Sequence, residues 1–165
     1  EQAGLTVGNG IEVNEFAQTN DPDIVAAGDV TFHPNNLLGF SLRLESVPNA
    51  MEQAKTAAAT ICGNEKAYHA LPWFWSDQYD LKLQIVGLSA GYDEAVVRGN
   101  SEDGRSFAVF YLKEGKLIAV DAVNRPPEFM MGKLMVADGA KLPAETLRDE
   151  NINMKVMAQM AKEAS

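Results

Sequence analysis

Ser106-Phe107-Ala108-Val109-Phe110-Tyr111-Leu112-Lys113-Glu114-Gly115-Lys116-Leu117-Ile118-Ala119-Val120-Asp121-Ala122-Val123 is the stretch that decides the fold. Two runs rich in β-branched and aromatic residues flank Glu114-Gly115, a turn signal that fits an antiparallel hairpin. Residues 107–112 are apolar on both faces, which predicts a strand near the centre of a sheet. Upstream, Leu81, Leu83 and Ile85 alternate with Lys82 and Gln84, the period of a half-buried strand. Residues 95–99 read as another strand, and residues 100–104 as the turn that follows it. Downstream, Pro126 and Pro127 open a helix carrying Phe129, Met130, Met131 and Leu134, which Asp138-Gly139 ends. Pro143 begins a short helical turn, and residues 153–164 form a last amphipathic helix with Met154, Met157 and Met160. Strands followed by helices predict an α+β domain with an antiparallel sheet.

The amino-terminal part reads differently. Residues 10–16 alternate apolar and polar as a strand does, Asn20-Asp21-Pro22 is a turn, and residues 24–27 are a short apolar strand ending at Gly28-Asp29. Residues 48–62 read as a helix with Pro48 at its first position and Gly63 as its stop. Ala50, Met51, Ala54, Ala57, Ala58 and Ile61 share one face, and the alanines predict close packing against a neighbour. The polar connector at residues 64–71 places the expected domain boundary, giving domains 1–66 and 67–165.

Composition narrows the function classes. A formal charge of −9 on 165 residues argues against nucleic-acid binding, which needs clustered Lys and Arg, and against an acidic membrane surface. No apolar run reaches the ~20 residues of a membrane span, and no signal peptide is visible. The single cysteine, Cys62, forms no internal disulfide, so a cytoplasmic location is expected. The start at Glu1 reads as mid-domain, as an excised or truncated chain would.

Three segments could carry chemistry. Gly28-Asp29 follows a strand, where a glycine admits a ligand to the backbone and a carboxylate accepts from sugar hydroxyls; a plain turn is the alternative. Leu44-Glu45-Ser46-Val47-Pro48-Asn49 enters a helix, whose free amides favour an electron-rich oxygen; ordinary capping by Ser46 is the alternative. Trp73-Phe74-Trp75, in a polar loop setting, could shield a planar cofactor, form a partner surface, or plug a core. His33 and His69 stand apart from any Cys/His cluster, so no metal is expected. Gly8-Asn9-Gly10 lacks the third glycine of a dinucleotide fingerprint, because position 13 is Val13. Met154, Met157 and Met160 read as core packing.

Together these pieces resemble one family. The run Thr19-Asn20-Asp21-Pro22-Asp23-Ile24-Val25-Ala26-Ala27-Gly28-Asp29-Val30 resembles the second FAD motif of two-dinucleotide-fold flavoprotein reductases. Residues 44–54 and 73–83, Gly91-Tyr92-Asp93, Val97-Arg98-Gly99, Phe110-Tyr111-Leu112 and residues 119–126 narrow the resemblance. They are similar to the ferredoxin reductases of oxygenase and P450 electron chains, the putidaredoxin and rhodocoxin reductase group. The resemblance implies hydride transfer from NAD(P)H to FAD, then single electrons to a [2Fe–2S] ferredoxin. It also implies roles. Gly28 and Asp29 would meet the FAD ribityl chain, and Val47 and Pro48 the flavin's pyrimidine end. Glu45, the catalytic candidate, would lie near the nicotinamide. Trp75 would lie at the isoalloxazine edge, with Trp73 and Phe74 near the same wall.

Both Gly-rich fingerprints of the family are absent from these residues. Residues 1–66 would then be a remnant of an α/β FAD-binding domain, and residues 67–165 the reductase carboxy-terminal domain. The expectation follows that this chain alone binds FAD weakly or not at all and does not turn over. Remnant apolar faces would need cover, by dimerisation or strand exchange. The alternative is a free-standing binding or assembly module that keeps the reductase fold without redox activity.

Overall fold

The computed structural model describes residues 2–102 and 104–163. Two units separate, Glu1–Pro72 and Trp73–Ser165. Glu1 and Ser165 at the expected domain ends, the turn residue Asp103, and Ala164 of the expected last helix lie outside the described residues.

The first unit contains β1 (Val7–Gly8), β2 (Gly10–Glu12), β3 (Thr31–Asn35), β4 (Phe40–Leu42) and α1 (Val47–Ile61). The strands form one sheet in chain order, with β2 and β3 parallel and the other pairs antiparallel. Gly10 has φ +130°, and a Cβ there would meet the Val30 carbonyl oxygen at 2.7 Å. Only glycine permits that approach. The strand expected over residues 10–16 stops at Glu12. The strand expected over residues 24–27 is reduced to an isolated bridge between Val25 and Gln18, with the Ala26 amide on the Ala17 carbonyl at 3.0 Å. Thr19 and Asp21 hold the residues before it in side-chain turns, which compete with a ladder.

Helix α1 buries an unexpected face. Asn49, Gln53, Thr56 and Ala57 point inward. Val47, Met51 and Ile61 are 57%, 57% and 72% exposed. Of the expected apolar stripe, Ala57 is buried and Ala50 lies against Gly28, whereas Met51, Ala54, Ala58 and Ile61 are exposed. The polar face is buried because β3 offers a matching one: Thr31, His33 and Asn35 alternate inward and are all buried. Residues 64–71 are tied to this unit. The Tyr68 amide donates to Glu15 O at 2.8 Å, and Asn35 Nδ2 donates to Ala70 O at 3.1 Å.

The second unit contains β5 (Trp73–Gln78), β6 (Leu81–Gly87), β7 (Glu94–Asn100), β8 (Ser106–Lys113) and β9 (Lys116–Val123), then α2 (Pro126–Ala137), α3 (Ala144–Arg148) and α4 (Met154–Glu163). The five strands are antiparallel in the order β5-β6-β9-β8-β7, so β8 and β9 are interior as their composition requires. Glu114 and Gly115 have φ +52° and +74°, the signature of a tight hairpin turn. Helix α2 covers one sheet face, close enough that a Cβ on Gly132 would meet Val120 at 3.0 Å. Val86, Val96, Phe110, Val120, Met135 and Met157 form a fully buried core. Each such side chain contributes about 1.5–3 kcal/mol. Met160, expected in that core, is instead exposed, and Trp73-Phe74-Trp75 lies in a strand rather than a loop. No helix among the described residues is long and apolar enough to cross a membrane.

Candidate functional site

Gly28 is buried at φ +85°, a conformation that disfavours a side chain. Its amide donates to Gln53 Oε1 at 2.7 Å. Its carbonyl accepts from the Thr31 amide at 3.0 Å. Thr31 Oγ1 lies 2.9 Å from that carbonyl oxygen and 2.8 Å from Gln53 Oε1. A Cβ built on Gly28 would sit 3.4 Å from Ala50 Cβ. The Gly28-Asp29 turn thus lies against α1 at Ala50 and Gln53, and Asp29 is left exposed.

Helix α1 begins one turn before Ala50. Ser46 is its N-cap, in extended conformation, and its Oγ accepts from the Asn49 amide at 3.3 Å. Capping by Ser46 is therefore real, yet it serves only one of the first amides. The Val47 amide stands at an exposed helix start with no acidic residue in the first turn. The partial positive charge there is not neutralised from within the turn. Asn49 fixes the approach to the helix: its Nδ2 donates to Leu44 O at 2.9 Å, and its Oδ1 accepts from Tyr68 Oη at 2.8 Å. Burial pushes the Tyr68 hydroxyl up to about 12, so it remains a donor.

Gly28, Asp29, Val47 and Pro48 are thereby brought into one region of the first unit. Glu45 adjoins them in sequence, but its carboxylate is paired with Arg43 at 2.7 Å on the surface. Trp75 belongs to the second unit. It stacks on Trp73 with ring centres 5.5 Å apart, and Trp73 in turn meets Phe129 at 5.6 Å. Lys133 Nζ lies 4.4 Å over the Trp73 ring, and burial lowers its affinity for a proton. Phe74 points to the opposite face of β5 from its two neighbours, so the three aromatics do not form one wall. Gly8-Asn9-Gly10 is the turn between β1 and β2.

Of the residues that assemble the region, Asn49 lies in the candidate segment 44–49, whereas Thr31, Gln53 and Tyr68 carry no role in the sequence reading. Polar residues at 49, 53 and 56, spaced for one helical face, were the available signal. His33 lies among them, buried edge-on to Tyr68 with ring centres 5.2 Å apart and with Nε2 unpartnered. Burial holds it below the ordinary histidine range. Chemically, an exposed carboxylate and the first amides of a helix suit a ligand with hydroxyls at one part and an electron-rich carbonyl at another. Among the described residues no group of three His, Cys, Asp or Glu could hold a metal.

Two family descriptions match separate parts of the chain. The family described as pyridine nucleotide-disulphide oxidoreductase matches residues 1–54. The family described as reductase C-terminal matches residues 73–158. The chain is 46% identical over 160 residues to putidaredoxin reductase of Pseudomonas putida, covering 97% of this chain and 38% of that protein. It is 42% identical over 156 residues to the ferredoxin–NAD(+) reductase component of the anthranilate 1,2-dioxygenase system of Burkholderia cepacia, covering 94% of this chain and 38% of the relative. The reductase in the crystal structure of the covalent putidaredoxin reductase–putidaredoxin complex superposes with a TM-score of 0.89 at 46% identity, over 98% of this chain and 38% of that one. The chain therefore spans well under half the length of these relatives. Its sheet-and-helix unit carries the family match over more than half of the sequence, and the chain belongs to the reductase C-terminal family.

Proposed function

We propose that this chain acts as the carboxy-terminal part of a flavoprotein ferredoxin reductase, with residues 1–72 completing an FAD-binding domain and residues 73–165 forming the domain that follows it. FAD, when bound, would accept a hydride from NAD(P)H and pass electrons singly to a [2Fe–2S] ferredoxin serving an oxygenase or P450. The observation that carries this reading is the fastening of the Gly28-Asp29 turn onto α1 by the Gly28–Gln53 hydrogen bond. The residues present fit the ribityl and pyrimidine side of a flavin. Asp29 would accept hydrogen bonds from ribityl hydroxyls. The Val47 amide would donate to the pyrimidine oxygen, where negative charge grows on reduction. Pro48 has no amide to donate, so Val47 marks the donor. Trp75, stacked on Trp73 in the second unit, is carried over as a flavin neighbour from the resemblance alone.

A proline at the first helical position removes an amide and leaves the helix intact. Helix α2 of this chain itself opens on Pro126-Pro127. Val47→Pro in the full-length flavoprotein therefore tests the donor role. The expected result is unchanged helix content, a flavin midpoint potential moved to more negative values, and slower ferredoxin reduction. An unchanged potential would remove Val47 from the site.

The exposed stripe of Val47, Met51 and Ile61 on α1 favours a second reading, an assembly module. Light scattering tests this second reading: a strict monomer across the accessible concentration range opposes assembly of copies.

A further inference from the structure

We infer that Gln53, with Asn49 one turn before it, is the positioning residue of the proposed flavin site. The claim rests on the flavin reading for what the site holds, and on the hydrogen bonds for how it is held. Gln53 is 1% exposed. Its Oε1 is surrounded by donors: the Gly28 amide at 2.7 Å, Thr31 Oγ1 at 2.8 Å and Asn49 Nδ2 at 3.5 Å. The Gly28 bond fixes the turn that presents Asp29. Asn49 holds the Leu44 carbonyl at 2.9 Å and so fixes the strand-to-helix approach that presents Val47. Two amide side chains at i and i+4 on one helix thus span both halves of the site, and Tyr68 locks the first of them from behind at 2.8 Å.

A buried glutamine is costly unless its polar atoms are used, and here they are: an apolar side chain would fill the space but strand the donors now aimed at Oε1. What an apolar side chain could not do is hold the Gly28 amide, whose turn has no ladder strand beside it; Val25 makes only the isolated bridge. Gln53 thereby sets the spacing between a carboxylate that would bind hydroxyls and an amide that would bind a charge-bearing oxygen. It touches neither ligand group itself, which makes it a positioning residue.

Two variants and two readouts test this. In the chain without flavin, Gln53→Leu is expected to speed amide hydrogen exchange at Gly28 by about tenfold or more while the helical signal of α1 stays. Gln53→Glu, of the same shape and with acceptor oxygens in place, is expected to retain slow exchange at about pH 4, where burial keeps the new carboxyl protonated and uncharged. In the full-length flavoprotein, Gln53→Leu is expected to weaken FAD about tenfold and shift the flavin potential. Unchanged Gly28 exchange in Gln53→Leu, or fast exchange in Gln53→Glu, would overturn the positioning claim. Faster exchange with unchanged FAD affinity and potential, while Asp29→Ala still loses FAD, would overturn it and leave the flavin reading standing. Asp29→Ala with unchanged FAD affinity would overturn the flavin reading and the inference together.

Discussion

Arg98→Met is expected to destabilise the second unit by about 4 kcal/mol. Arg98 and Glu128 are both 3% exposed, and Arg98 Nε reaches Glu128 Oε1 at 3.2 Å. Arg98 Nη1 donates to the Leu147 carbonyl at 3.2 Å and the Asp149 carbonyl at 2.6 Å, and Nη2 to the Ile152 carbonyl at 2.7 Å. One guanidinium on β7 thus ties α2 to the segment between α3 and α4. Methionine replaces the packing of the stem and none of the donors. Breaking a buried ion pair from one side costs about 3–5 kcal/mol. Glu128 keeps Arg125 Nη1 at 3.2 Å, which pulls the value down. The abandoned carbonyls pull it up by about 1–3 kcal/mol each where water does not reach them. Asp149 is exposed, so part of that penalty is relieved. A loss of about 4 kcal/mol is a large share of the 5–15 kcal/mol typical of a domain. Both tryptophans, Trp73 and Trp75, lie in the second unit, so tryptophan emission during urea unfolding reports on it alone. With a slope of about 1.5 kcal/mol per molar urea, the midpoint falls by roughly 2.5 M. Arg98→Lys keeps the charge without the planar fork and should fall between. A midpoint loss below about 0.5 M in Arg98→Met would refute the clamp.

Gly87→Ala should prevent the second unit from folding as described, because a Cβ there would meet the Ile118 carbonyl and φ is +76°; a native-like near-ultraviolet spectrum would contradict this. His33 is held neutral below its ordinary value of 6.5 by burial, so the unfolded chain takes up the proton first. Stability is then fully present above about pH 6.5 and declines as pH falls from there through the lowered folded value. His33→Leu should flatten that slope in urea midpoints measured across the window. Asp121 is shifted the other way: burial raises its carboxyl above 3.8, against the opposing hydrogen bond from Tyr111 Oη at 2.9 Å. Its stabilising effect is present below about pH 3.8 and lost as pH rises through the folded value. Asp121→Asn keeps an acceptor for Tyr111 and should be more stable than the parent at pH 7, with the difference vanishing toward pH 3.8; a less stable variant at pH 7 would contradict the burial cost.

The second unit was legible because its strands and helices obey simple periods. Residues 106–113 and 116–123 match β8 and β9, since their apolar runs have one use, an interior place in a sheet. β5 was hidden because an aromatic cluster followed by Ser76-Asp77-Gln78 shows no clean alternation, and the pairing partner β6 supplies the order. In the first unit the rule that apolar faces go inside fails. β3 presents Thr31, His33 and Asn35 inward, and it contains Pro34, so no strand signal remained. Helix α1 was found by its caps and alanines, yet its buried side is the polar one. The candidate site was half legible for the same reason. Gly28, Asp29 and Val47 stand in a recognisable motif order, whereas Gln53 acts through a contact across 25 residues that spacing alone does not reveal. Buried hydrogen-bond networks are satisfied pairwise in space, and a sequence displays only one partner at a time.

The most direct test of the central claim is FAD affinity of the full-length flavoprotein carrying this chain, with Asp29 intact and as Asp29→Ala, read by visible absorbance. A charge-assisted hydrogen bond to the cofactor is worth about 1.5–3 kcal/mol, so the substitution should weaken FAD by roughly tenfold to a hundredfold. Equal affinity in the two proteins would contradict the placement of the flavin at the Gly28-Asp29 turn.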